Sequence, residues 1–161
     1  MPSEPPAVVA NATVERTIAA PVSRVFEAVV DITRMSTWSP ECTGAHWLGQ
    51  QSAPVSVGAR FRGSNRRGLL RWSTTCTVLD VSPGRLFAFR VSVLGRPTAT
   101  WTYTFEAASG GTRVRESWED HRGRLSRAVN DVGLPNRAGH AEAQMRATLD
   151  NLAAGVEVKD G

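Results

Sequence analysis

The stretch TATWTYTFEAASGGTRVRESWED, residues 98–120, carries two runs of alternating side chains separated by a turn. In the first run, threonines alternate with apolar or aromatic residues. In the second run, charged or polar residues alternate with Val114, Glu116 and Trp118. Strict alternation is typical of β-strands, in which successive side chains point to opposite faces. The small residues between 107 and 111 supply a turn, so the stretch predicts an antiparallel hairpin.

Matching the apolar faces of these two strands sets their register. The matched pairs are Phe105 with Val114, Tyr103 with Glu116, and Trp101 with Trp118. We expect one inward-facing set, Trp101, Tyr103, Glu116 and Trp118, and one solvent-facing set, Thr100, Thr102, Arg115 and Ser117. This arrangement buries three aromatic rings, each worth about 2 kcal/mol or more. The opposite arrangement would bury the charge of Arg115 instead.

Glu116 is then a carboxylate on an otherwise apolar face, with a phenol opposite it. A buried carboxylate needs a hydrogen bond, a cation or a proton. In one interpretation, which we favour, Tyr103 or a buried arginine satisfies Glu116, and the residue only fixes the shape of a pocket. In the other, Glu116 binds a ligand hydroxyl or acts as a general acid or base with a raised pKa, and Tyr103 is its partner. Glu116 and Tyr103 are therefore the candidate catalytic residues.

The hairpin belongs to a longer run of predicted strands from Cys42 to about His121. Turn-forming residues interrupt this run at 50–56, 65–68, 82–84, 95–97 and 107–111. Strands this close in sequence, without helices between them, indicate an antiparallel meander. A tight turn at 82–85 places Val78 opposite Phe89 and Cys76 opposite Val91, with Thr74 opposite Val93 on the same face.

Helical patterns flank the strands. A strand at 13–18 precedes a helix that Ala20-Pro21 opens, because proline suits the first helical position. Asp31 is placed to cap a second short helix, which ends at residues 38–40. From Pro135 to Val158 one apolar stripe recurs at helical spacing; it comprises Ala138, Ala141, Met145, Leu149, Leu152 and Val156. This helix is long enough to cover the concave face of a curved sheet, and a void left at one end forms a pocket.

The composition narrows the classes of function. The 161 residues include five tryptophans and carry a formal net charge of +4. A cluster of arginines could bind phosphate; it comprises Arg60, Arg62, Arg66, Arg67 and Arg71. The solvated face of two strands explains this cluster better, so binding of nucleic acid is disfavoured.

No membrane-spanning run, secretory signal or disulfide framework is present, which predicts a cytoplasmic protein. His46, His121 and His140 lack metal-ligand spacing, and no phosphate-cradling loop is present, so we expect no metal and no cofactor.

Several segments together resemble a known superfamily. They are VERTIAAPVSRVFEAVVDITRMSTWSPE at 14–41, VGARFRG at 57–63, GGTRVRESWED at 110–120 and MRATLDNL at 145–152. Their order is similar to that of the START-like superfamily (SRPBCC), which includes the polyketide cyclase/dehydrase and lipid-transport proteins. The resemblance covers about residues 12–158, after a loose lead-in at 1–11. It implies the α+β helix-grip fold: a curved antiparallel β-sheet wrapped around a long C-terminal helix, with two short helices after the first strand.

The resemblance also implies a cavity. We assign its lining to Trp72, Trp101, Tyr103, Glu116 and Trp118, together with Phe61, Cys76, Phe89, Met145 and Leu149. We expect Trp72, Trp101 and Trp118 at the end of the sheet where the turns near Asn65 and Gly95 lie. The same end of the sheet should be approached by Trp38, Glu41 and Asn65. Indole rings around the mouth suit a flat, ring-containing or lipid-like ligand.

Three functions are therefore open. The leading hypothesis is binding or carriage of a hydrophobic small molecule by a monomer or homodimer without membrane insertion. The second is a cyclase or dehydratase that uses Glu116 as acid or base. The third is a regulatory or interaction protein that acts through the arginine-rich hairpin.

Overall fold

The computed structural model describes residues 10–50, 54–122 and 137–157, and in these ranges seven strands form one antiparallel sheet. The strands are β1 (Ala12–Ile18), β2 (Cys42–Leu48), β3 (Arg60–Arg67), β4 (Leu70–Ser82), β5 (Leu86–Val93), β6 (Arg96–Ala108) and β7 (Gly111–Asp120). Their order across the sheet is β1-β7-β6-β5-β4-β3-β2. Each strand from β2 onward pairs with the next in sequence, and β1 closes the far edge on β7. The predicted meander is confirmed.

Helices occupy the places that the sequence predicts. They are α1 (Val22–Val30), a 3-10 helix (Ile32–Arg34), α2 (Met35–Trp38) and α3 (Arg137–Val156). Pro21 lies just before α1 in an extended conformation, one position earlier than expected. The Asp31 carboxylate accepts a hydrogen bond from the Thr33 amide, as its capping role predicts. Most of the predicted lead-in and of the connection before α3 lies outside the described residues, as do 135, 136 and 158 at the ends of the predicted last helix.

The long helix α3 packs its apolar stripe against the sheet and the short helices. Met145, Leu149 and Leu152 are buried, together with Ile18 of β1 and Val114 of β7. Ala138, which we expected in this stripe, is exposed. Arg137 and His140 take the inner side of that first helical turn, so Ala138 is left outside. The helix-grip fold predicted from the sequence is the fold observed.

The hairpin of β6 and β7 has the predicted register. Tyr103 lies opposite Glu116, Trp101 opposite Trp118 and Phe105 opposite Val114. The predicted faces are also confirmed, because Tyr103 and Glu116 are buried, whereas Arg115 is exposed and pairs with Glu15.

The hairpin of β4 and β5 differs from the prediction at its turn. Ser82 pairs with Leu86 across a three-residue loop, one residue longer than the tight turn expected. Gly84 supplies the positive φ, +70°, that this loop requires. A bulge at Leu79, between Val78 and Asp80, absorbs the extra residue. Beyond the bulge, Val78 faces Phe89 as predicted, because the two deviations cancel.

A close contact holds α2 against α3. The indole of Trp38 fills the space beside Gly155, where a β-carbon would come within 2.4 Å of the ring. The Asn151 amide also donates to the Trp38 carbonyl oxygen at 2.9 Å. Trp38 also lines the space between helix and sheet.

No helix among the described residues is long and apolar enough to cross a membrane.

Candidate functional site

A cavity of about 560 Å³ lies between the concave face of the sheet and α3. Nine of the ten predicted ligand-binding residues line it: Phe61, Trp72, Cys76, Phe89, Trp101, Tyr103, Glu116, Trp118 and Met145. The residues expected to approach the same end, Trp38, Glu41 and Asn65, line it as well. The cavity wall is therefore mainly aromatic and aliphatic.

Leu149 is the exception among the predicted lining residues. It is fully buried in the core instead of lining the cavity. On α3 the cavity side is taken by Thr148 and Leu152, four residues apart. Leu149 is turned about 100° from Thr148 around the helix axis and so packs into the core.

One polar group of the cavity wall, the floor pair, consists of Tyr103 and Glu116, which are both buried. The Tyr103 hydroxyl donates to Glu116 Oε1 at 2.6 Å. The register of the sheet sets this geometry, because Tyr103 and Glu116 are directly opposite on β6 and β7. On the flanking strands, Phe87 lies opposite Tyr103 and Val14 opposite Glu116. The floor pair is thus flanked on both sides by apolar residues.

Burial decides the protonation of the floor pair. Glu116 is only 2% exposed. Its burial raises the pKa of the carboxyl to about 8, although the hydrogen bond from Tyr103 lowers it in part. Burial likewise raises the pKa of Tyr103 well above its usual value. The carboxyl of Glu116 is therefore mainly neutral below about pH 8.

Glu116 Oε2 on β7 and Gln144 Oε1 on α3 are polar atoms of the cavity wall that are buried without a hydrogen-bond partner in the described part of the chain. Unsatisfied buried polar atoms are rare in folded proteins, and each such atom calls for an explanation. A bound molecule that supplies the missing partner is one physical explanation.

A second polar group, the rim cluster, consists of Glu41, Arg67 and His140. Arg67 Nε donates to Glu41 Oε1 at 2.7 Å, and His140 Nε2 lies 2.9 Å from the same oxygen. Burial raises the pKa of Glu41, but these two hydrogen bonds and the nearby positive charges outweigh it, so the pKa lies below its usual value. The cluster connects α3 to the end of β3 and to the segment before β2.

Arg67 differs from the rest of the arginine cluster. Arg60, Arg62, Arg66 and Arg71 are exposed, as expected for a solvated face. Arg67 lines the cavity, and its guanidinium lies 5.7 Å from the centre of the Trp72 ring. Strand alternation is the reason, because Phe61, Asn65 and Arg67 share the inward face of β3.

Phe87, Arg122, Arg137, His140 and Gln144 also line the cavity, although sequence reasoning did not assign them to it. A signal existed for Phe87, which alternates with Phe89 and Val91. A signal existed on α3 too, because residues 137, 140 and 144 follow helical spacing beside the apolar stripe.

The two cysteines are free and buried in the cavity wall. Burial raises the pKa of Cys76 to about 12 and also raises that of Cys42. Both thiols are therefore protonated and contribute apolar surface.

Within the described ranges, no three His, Cys, Asp or Glu side chains are grouped so as to hold a metal ion. His121 is exposed and lies 2.7 Å from the Thr100 hydroxyl.

The sequence model of the family described as polyketide cyclase/dehydrase and lipid transport matches residues 9–157. The chain belongs to this family. The match covers β1 through α3, and so includes every element around the cavity. No curated protein matches the chain.

Several solved structures are similar in fold to this chain. Protein CV1439 from Chromobacterium violaceum aligns with a TM-score of 0.69 at 16% identity, over 91% of this chain and 97% of that one. The Polyketide_cyc-like protein Cgl2372 from Corynebacterium glutamicum is 28% identical, with a TM-score of 0.55, over 97% of this chain and 91% of that one. The di-domain ARO/CYC StfQ from the steffimycin biosynthetic pathway aligns with a TM-score of 0.66 at 16% identity, over 90% of this chain and 44% of that one. Family and fold together support a scaffold for binding hydrophobic ligands.

Proposed function

We propose that residues 12–158 act as one domain that binds or carries a hydrophobic, ring-containing or lipid-like small molecule. The observation that carries this proposal is the cavity of about 560 Å³, which lies within the range of ordinary small-molecule sites. A protein interior without a ligand site is normally packed to crystal-like density, with few voids larger than a water molecule. A space of this size therefore favours an occupant.

The wall of the cavity indicates the chemistry of that occupant. Three indoles, those of Trp72, Trp101 and Trp118, line the cavity and offer flat apolar faces. Phe61 and Phe89 stand edge to face, with ring centres 5.3 Å apart, and extend the aromatic wall. Flat ring systems match such surfaces, and the relation to the ARO/CYC StfQ is consistent with a cyclic ligand.

Displacement of a neutral fluorescent probe, N-phenyl-1-naphthylamine, tests this proposal. We expect the probe to bind the wild-type protein and apolar ring compounds to displace it. The variant Ala99→Leu fills the cavity, because Ala99 lines it, and should weaken probe binding at least tenfold. Ala107→Leu is the matched control on the same strand, since Ala107 is exposed and does not line the cavity. Equal probe binding by both variants would place the probe outside the cavity and contradict the proposal.

A second function, acid-base catalysis of the cyclase or dehydratase type, is favoured by one observation. Glu116 lines a cavity wide enough for a substrate, and its pKa of about 8 lies near neutral pH, where general acids and bases are most effective. Tyr103, hydrogen-bonded to it, would orient the carboxyl.

Exchange of the α-protons of 2-indanone with deuterium, followed by NMR, tests this second function. An enzyme of this kind should accelerate the exchange, and Glu116→Gln should abolish the acceleration while the probe still binds. Glu119→Gln, on the outward face of the same strand, is the control and should leave the exchange unchanged. If Glu116→Gln exchanges as fast as the wild type, Glu116 is not the acid or base.

A further inference from the structure

We propose, building on the proposed ligand cavity, that its ligand presents a carbonyl or ether oxygen that accepts a hydrogen bond from Oε2 of Glu116. The ligand class is then an uncharged ring compound with an acceptor oxygen at its inner end.

The geometry of the floor pair supplies the first step. Oε1 of Glu116 already accepts the hydrogen bond from Tyr103 at 2.6 Å. Oε2 is buried without a partner in the described part of the chain, and Glu116 lines the cavity. A molecule in the cavity can therefore supply the hydrogen-bond partner of Oε2.

The position of the proton supplies the second step. A protonated carboxyl has one oxygen that donates and one that accepts well. In a neutral carboxyl the carbonyl oxygen is the better acceptor, so we assign Oε1, which accepts from Tyr103, as the carbonyl oxygen and Oε2 as the oxygen that carries the proton. Glu116 therefore offers the cavity a donor, and the group that complements it is an acceptor.

The surroundings keep that proton in place. Beside Glu116 in the sheet lie Tyr103 on β6 and Val14 on β1, and Gln144, Met145 and Thr148 of α3 line the same cavity. The charged groups that line the same cavity are Glu41, Arg67, Arg122, Arg137 and His140. Burial is the largest cause of the raised pKa of about 8, and the hydrogen bond from Tyr103 opposes it. Glu116 therefore remains a donor at neutral pH and loses this role above about pH 8.

The costs of desolvation and of an unsatisfied donor disfavour other chemical groups at the inner end of the ligand. At the floor pair, a ligand carboxylate would lose its hydration beside the apolar neighbours Val14 and Phe87, and this costs more than one hydrogen bond from Oε2 returns. A plain hydrocarbon would leave the donor without a partner, with the loss that an unsatisfied buried group carries. A ketone or ether satisfies the donor without burying a charge.

Fluorene and 9-fluorenone form a matched pair of probes, because they share a ring system and differ in one carbonyl oxygen. We measure the dissociation constant of each by displacement of N-phenyl-1-naphthylamine at pH 6.5 and pH 9.5. At pH 6.5 the wild-type protein should bind 9-fluorenone about tenfold more tightly than fluorene, the ratio expected for one hydrogen bond to a buried donor. At pH 9.5 the ratio should fall to about one, because ionised Glu116 cannot donate.

Variants of Glu116 separate the effect of the hydrogen-bond donor on ligand preference from the effect of the cavity itself. Glu116→Gln keeps a donor that does not titrate, so the preference for 9-fluorenone should persist at both pH values. Glu116→Leu removes the donor, so the preference should vanish at both. Glu119→Gln, on the outward face of β7, is the control and should behave as the wild type. If Glu116→Leu fails to fold, the wild type and Glu116→Gln still test the inference. The preference for 9-fluorenone should depend on pH in the wild type and not in Glu116→Gln.

The outcomes also separate this inference from the proposed function. If both probes bind with equal affinity at pH 6.5, the cavity binds ligands but Glu116 does not select an acceptor, and the inference is overturned. If N-phenyl-1-naphthylamine binds but neither fluorene nor 9-fluorenone displaces it, the inferred ligand class is wrong. If N-phenyl-1-naphthylamine does not bind either, the proposed function itself fails, and this inference with it. A preference for 9-fluorenone that is lost at pH 9.5 in the wild type and kept in Glu116→Gln supports both.

Discussion

Glu116 and Glu41 line the same cavity, but their surroundings move their pKa values in opposite directions. Glu116 is 2% exposed, and among the described residues its side chain is hydrogen-bonded to the neutral Tyr103. The Glu41 side chain is 21% exposed and contacts both Arg67 and His140. Burial raises the pKa of both carboxyls, but at Glu41 the two partners outweigh it. The residue type alone therefore does not decide its charge.

The difference in charge separates two polar groups of the cavity wall, the floor pair and the rim cluster. At the floor, a neutral carboxyl adds polarity without charge, which suits the binding of an uncharged group. At the rim, an ionised carboxylate holds Arg67 of β3 and His140 of α3 together. The floor pair is therefore the proposed contact of a ligand, whereas the rim cluster connects helix and sheet.

The largest expected effect is on stability as a function of pH. The pKa of Glu116 is raised from 4.5 to about 8 in the folded state, so the folded protein binds more protons than the unfolded chain between these values. Its contribution is complete below about pH 4.5 and is lost as the pH rises through about 8. At about 1.4 kcal/mol per pKa unit, the loss is on the order of 3–5 kcal/mol.

Urea denaturation from pH 4 to pH 9 measures this effect. The free energy of unfolding of the wild type should fall relative to that of Glu116→Gln as the pH rises, because the glutamine does not titrate. At pH 9 Glu116→Gln should be the more stable protein. Parallel curves for the two proteins would show that Glu116 has an ordinary pKa.

The next effect comes from the hydroxyl of Tyr103. Tyr103→Phe leaves Oε1 of Glu116 without its donor and should lower the free energy of unfolding by about 1–3 kcal/mol. It should also raise the pKa of Glu116 further, because the hydrogen bond from Tyr103 lowers it. Thr102→Val removes a hydroxyl from the other face of the same strand and serves as the control in denaturation. A Tyr103→Phe protein as stable as this control would show that the bond contributes nothing.

The smallest effect is expected at the rim. Glu41→Gln should lower the free energy of unfolding at pH 7 by about 1 kcal/mol or less, because the ion pairs are partly exposed. The pKa of Glu41 is lowered, so its contribution is present above about 4.5, its ordinary value, and is lost as the pH falls through the folded value. Denaturation at pH 3 and pH 7 tests this. The difference between variant and wild type should shrink at pH 3, and one that grows there would contradict the sign.

Much of the fold could be predicted because local chemistry encodes it. The alternation from Thr98 to Asp120 gave the correct faces and register, since a slip of one residue would have inverted every side chain. The bulge at Leu79 could not be read in the same way. Its position depends on how the strand pairs with its neighbour, and no turn residue marks it.

The candidate site was predictable in part for the same reason. Glu116 and Tyr103 face each other because one hairpin sets both positions. The rim cluster joins residues that are 99 apart in the sequence, Glu41 and His140, and only tertiary packing brings them together. The sequence predicts Leu149 in the cavity wall, but it packs into the core, because one apolar stripe on α3 serves both the core and the cavity and the sequence does not divide it.

The most direct test of this account is the titration of Glu116 itself. NMR of protein labelled with ¹³C at the glutamate carboxyl carbons follows each residue, and the signal missing from Glu116→Gln identifies the one required. We predict that Glu116 titrates with a pKa of about 8, while Glu41 titrates below its ordinary 4.5. A Glu116 signal that titrates near 4.5 would show an ionised carboxylate at neutral pH and would contradict the account of the floor as a neutral, hydrogen-bond-donating site.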